Sequence, residues 1–86
     1  MGLKIYWTQF SETELRKIFK YYLDKASYRV AKKLVDGIFS ETLILSKQPK
    51  LGRIEELLIY RDQEFRYILY KNYKIIYWIS IKENRN

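Results

Sequence analysis

The stretch EFRYILYKNYKIIYWISI, residues 64–81, decides the fold of this 86-residue chain. Its hydrophobic content and its alternation suit strands covered on one side. Lys71-Asn72 falls between its halves, and Asn is one of the residues that tolerates the positive φ of a tight hairpin. The stretch therefore reads as two antiparallel strands, about 65–71 and 73–82. Period two then sorts the side chains. Phe65, Tyr67 and Leu69 go with Tyr73, Ile75, Tyr77, Ile79 and Ile81 on one apolar face. Arg66, Ile68 and Tyr70 go with Lys74, Ile76, Trp78, Ser80 and Lys82 on a mixed face. The apolar face needs a covering layer.

Two amphipathic helices upstream can supply it. The stripe Ala31, Leu34, Val35, Ile38, Thr42, Leu45 keeps a helical period from Ser27, placed to cap, to Pro49, which forbids continuation. Ahead of it, Ser11 and Glu14 have capping-box spacing before a second stripe, Leu15, Ile18, Phe19, Tyr22 and Ala26. LKIYWT, residues 3–8, is a short run of β-formers and reads as a first strand. Between Pro49 and the hairpin, a turn is expected at Gly52, and Leu57 to Tyr60 reads equally as a helical turn or an irregular strand. With no repeat and no linker, the expectation is one domain over 1–86. Its fold class is α+β, a two-layer sandwich of N-terminal strand, antiparallel helix hairpin and C-terminal antiparallel strands.

Composition removes whole classes of chemistry. The chain has no cysteine for a disulfide or thiolate metal site, and no histidine, the commonest general base and metal ligand. No cofactor and no metal are expected. Lys plus Arg number 17 against 10 Asp plus Glu, a net charge of +7 that favours polyanionic or acidic partners. No apolar run approaches the ~20 residues that span a bilayer, so the expected location is the cytoplasm, without a membrane partner. Tyr6 stands where a myristoylation signal needs Ser or Thr.

The mixed hairpin face has two readings. Solvated sheet faces commonly carry Lys, Arg and single aromatics. Against that, Ile68, Tyr70, Ile76 and Trp78 stand together between Arg66, Lys74 and Lys82, and a contiguous apolar patch with a charged rim marks an interface. These seven residues are the candidate target- or partner-binding set.

Residues 14–79 resemble the RelE/ParE toxins of type II toxin–antitoxin systems, above all the ParE-like branch of plasmid-stabilisation proteins. The pieces that carry the resemblance are Leu15-xx-Ile18, Ala31-xx-Leu34 with Ile38 leading to Leu45, Pro49-xx-Gly52, Arg66-Tyr67 and NYKIIY at 72–77. The resemblance implies a compact toxin neutralised by a cognate, ParD-like antitoxin, with DNA gyrase as target for the ParE-like branch. RelE-like relatives instead are metal-independent ribonucleases that cut ribosome-associated mRNA. For that alternative Arg66 and Lys74 match two basic positions that would stabilise phosphate charge, whereas Ile68 replaces a usual cation and the C-terminal arginine and tyrosine are missing. The reading favours a gyrase-directed, non-enzymatic inhibitor. An inactive interaction module is the third alternative. Relatives also continue with one more strand, so an open strand edge is expected, available for self-association or for an added antitoxin strand.

Overall fold

A computed structural model describes residues 2–80. Its elements run α1 (Gln9–Lys25), α2 (Tyr28–Lys47), β1 (Arg53–Ile54), a 3-10 turn (Glu56–Leu58), β2 (Phe65–Tyr70) and β3 (Tyr73–Trp78). Two helices followed by a three-stranded antiparallel sheet is the expected α+β class. The chain divides into two compact units: Lys4–Leu43, and the segment through Leu3 together with the chain from Ile44 on.

The first unit is helical. α1 starts earlier than the Ser11-Glu14 spacing suggests, because Thr8 is its cap. The Thr8 hydroxyl accepts the Ser11 N–H at 3.0 Å, and the Ser11 hydroxyl donates back to the Thr8 carbonyl at 2.8 Å. Thr8 and Ser11 thus satisfy each other at the spacing expected of Ser11 and Glu14. Ser27 caps α2 as expected, accepting the Val30 N–H at 3.1 Å. The α2 stripe also holds: Ala31, Leu34, Ile38, Thr42 and Leu45 are buried. α1 buries no residue fully, and its stripe Leu15, Ile18, Phe19 and Tyr22 is half-buried. Periodicity gives the direction of an apolar face, not how completely it is covered.

Residues 2–8 form no strand, which corrects the expected N-terminal strand. Their partners are helical. The Leu3 N–H donates to the Ser46 carbonyl at 2.9 Å, and the Ser46 hydroxyl donates to the Leu3 carbonyl. The last carbonyls of a helix lack intrahelical donors, so the end of α2 captures backbone that would otherwise seek a sheet. Further along, the Trp7 ring packs edge-on against Phe39 at 5.1 Å.

In the second unit the sheet order is β1-β2-β3. The undecided segment resolves into β1 and the 3-10 turn. β2 and β3 pair from Phe65↔Trp78 through Tyr67↔Ile76 and Leu69↔Lys74 to Tyr70↔Tyr73, and Arg53↔Tyr67 and Ile54↔Arg66 join β1 to β2. The hairpin is therefore closed by the two residues Lys71 and Asn72. The positive φ falls on Lys71, at 54°, and not on Asn72. Holding a non-glycine residue there costs ~1–2 kcal/mol.

Candidate functional site

Residues directly opposite in an antiparallel pair share a face, so the register assigns the sheet's surfaces. Arg66, Ile68 and Tyr70 lie with Tyr77, Ile75 and Tyr73, and all six are half-buried. Phe65, Tyr67 and Leu69 lie with Trp78, Ile76 and Lys74. This corrects the face assignment made from alternation. The cause is the turn: with two residues between the strands, a partner of an odd-numbered residue is even-numbered, so like parity means opposite faces.

The expected binding set is thereby split. Arg66, Ile68 and Tyr70 share one face, Lys74, Ile76 and Trp78 share the other, and Lys82 lies outside the described residues. The face of Lys74 is the more exposed, with Leu69, Ile76 and Trp78 all open to solvent. Trp78 packs edge-on against Phe65 at 5.4 Å. Leu57, Ile59 and Tyr60 are also exposed, on and after the 3-10 turn.

Arg66 is engaged within its own chain. Its guanidinium donates to the Gly52 carbonyl at 2.8 Å and to the Lys50 carbonyl at 3.4 Å, and pairs with Glu64 at 2.8 Å. Its side chain is only 16% exposed, and its buried Nε has no hydrogen-bond partner. Tyr77, opposite Arg66, completes the clamp: its hydroxyl donates to the Pro49 carbonyl at 2.6 Å and accepts the Gly52 N–H at 2.9 Å. The Pro49–Gly52 turn, closed by Leu51 N–H to the Gln48 carbonyl at 3.0 Å, is thus pinned by one residue from each hairpin strand. Gly52 is required by this close approach. A Cβ there would lie 2.6 Å from the Tyr77 hydroxyl and 2.7 Å from the Tyr67 carbonyl oxygen.

Lys74 is engaged on the other face. Its ammonium lies 2.6 Å from Glu55 and 4.3 Å from the Tyr67 ring centroid. Glu55 is only 5% exposed, and its second oxygen accepts the Leu57 N–H at 3.3 Å. The hydrogen bond from Lys74 holds the Glu55 carboxyl below its ordinary 4.5, outweighing the upward push of burial, with Leu57 adding to the effect. A carboxyl lowered in the folded state stabilises the fold above its unfolded value, and that contribution disappears as pH falls through the folded one. Urea midpoints should therefore fall on acidification below about pH 4.5. In Glu55→Gln that acid-dependent part of the loss should shrink. An unchanged profile in the variant would place the acid sensitivity elsewhere.

Glu55, Tyr67, Phe65 and Leu69 were not among the sequence candidates. The hairpin turn length could have revealed the last three. Nothing local marks Glu55, which meets Lys74 across 19 residues of sequence. Among the described residues no group of three or more acidic side chains is placed to hold a metal ion, and no helix is long and apolar enough to cross a membrane. A family model described as the ParE toxin of the type II toxin–antitoxin system parDE matches residues 5–85. No curated protein and no solved structure matches the chain.

Proposed function

This chain belongs to the ParE toxin family of type II toxin–antitoxin systems, and from that premise we propose that it acts in the cytoplasm by binding and inhibiting DNA gyrase, without an enzymatic step, until a cognate antitoxin neutralises it. The observation that carries the non-enzymatic reading is the placement of Arg66 and Lys74. Cleaving an RNA phosphodiester without metal or histidine needs cations converging on one phosphate. These two occupy opposite faces of the sheet, and each already meets a carboxylate, Glu64 and Glu55 respectively. The groups beside them that could give general acid–base help, worth roughly 10²–10⁴-fold, are already engaged: Glu64 and Glu55 in these ion pairs and the Tyr77 hydroxyl with Pro49 and Gly52.

A net charge of +7 favours an acidic antitoxin segment and fast, salt-sensitive capture. β3 forms one side of the described sheet, and a strand of the antitoxin, or of a second copy, is proposed to add there. Purified chain should block supercoiling by gyrase and leave mRNA on translating ribosomes intact. Cleavage of that mRNA without an effect on gyrase would reverse the assignment.

A further inference from the structure

Three cations stand on the β2–β3 hairpin: Arg66, Lys71 and Lys74. Two are matched by carboxylates, Arg66 by Glu64 at 2.8 Å and Lys74 by Glu55 at 2.6 Å. Lys71 makes no ion pair among the described residues; its ammonium lies 5.7 Å from the Tyr70 ring centroid. It is also the only non-glycine residue of the described chain with positive φ, 54°. Glycine would take that conformation without strain, and asparagine tolerates it. Beside Lys71 stand the half-buried Tyr70 and the exposed Asn72, whereas Leu69, 67% exposed, lies on the other face of the sheet from Tyr70. The hairpin end thus presents an unmatched ammonium, an asparagine and a tyrosine ring, at the cost of backbone strain.

Strain retained against stability is found where binding needs the side chain. We propose that the hairpin tip, residues 70–72 with Lys71 as its charged contact, is where the toxin grips an acidic protein surface of its target. This rests on the reading of the chain as a toxin that acts by binding. The chemistry favours a protein surface over nucleic acid. Duplex binding draws on several cations acting together, and here the other two hairpin cations already meet carboxylates. A single ammonium next to a tyrosine ring matches the mixed aromatic and charged character of protein interfaces. The antitoxin is the competing occupant, and its affinity for a Lys71 variant separates the two.

Lys71→Gly tests this because it removes the contact while relieving the backbone, so misfolding cannot account for a loss. The variant should melt at or above the wild-type temperature and bind the antitoxin unchanged. Arresting growth should then need about tenfold more toxin, the loss of one contact worth about 1.4 kcal/mol. Lys71→Arg, which keeps the charge, should arrest growth like the wild type. Growth arrest by Lys71→Gly at the wild-type level would overturn the proposal, as would a matching loss of antitoxin affinity. Binding to a short DNA duplex that depends on Lys71 would overturn the assignment to a protein surface. Growth arrest that depends on Lys71 while purified gyrase is untouched would support the tip as the target contact and reject gyrase as that target.

Discussion

Replacing Ile38 by alanine is expected to lower the stability of this chain by about 2–4 kcal/mol. Ile38 is only 4% exposed and sits mid-stripe on α2 between Leu34 and Thr42, both buried. The substitution removes three carbons from a packed site, and the loss combines transfer free energy with the cavity left behind. A chain of this size has ~4–13 kcal/mol of net stability in all, so the variant should unfold at clearly lower urea. Leu43→Ala on the same helix is the control: Leu43 is 62% exposed, and its loss should change stability by no more than about 0.5 kcal/mol. Equal effects from the two substitutions would mean that the buried stripe of α2 is misassigned.

Gly52→Ala should cost about 1–3 kcal/mol through overpacking. The added methyl would press on the Tyr67 carbonyl, which belongs to the β2 backbone and yields only if the β1–β2 pairing opens, and on the Tyr77 hydroxyl. Tyr77→Phe removes the hydroxyl, though not the ring carbon that would lie 2.8 Å from the added Cβ, together with two hydrogen bonds, to the Pro49 carbonyl and from the Gly52 N–H, and alone should lose about 1–2 kcal/mol. The two substitutions should couple, so that the double variant loses less than the two single losses added. Strict additivity, measured by chemical denaturation, would show that the turn relaxes away from Tyr77 and that the clamp does not depend on the missing Cβ.

What could be read from the residues alone were the features whose causes are local. Ser27 as a helix cap, Pro49 as a stop, the turn before Gly52 and the buried stripe Ala31, Leu34, Ile38, Thr42, Leu45 each follow from a side chain acting on backbone within a few positions, or from a helical period. The β2–β3 hairpin is equally local, and so was its register in principle, since the two-residue turn at Lys71-Asn72 dictates which numbers pair. Alternation within each strand gives the periodicity of its faces, but only the turn length says which faces of the two strands join.

Tertiary structure decided whatever depends on residues far apart in the chain. Residues 3–8 look like a strand, yet the Ser46 carbonyl and hydroxyl at the end of α2 take up the backbone of Leu3. Arg66 looks like a free cation for a target, yet the Lys50 and Gly52 carbonyls and Glu64 hold it. Lys74 looks like its companion, yet it faces the other side of the sheet and meets Glu55. A side chain's charge is written in the sequence, but whether that charge is available to a partner depends on which carboxylates and carbonyls the fold brings within about 3 Å of it. By that criterion the fold leaves Lys71, which alternation had assigned to neither face, as the hairpin's unmatched cation.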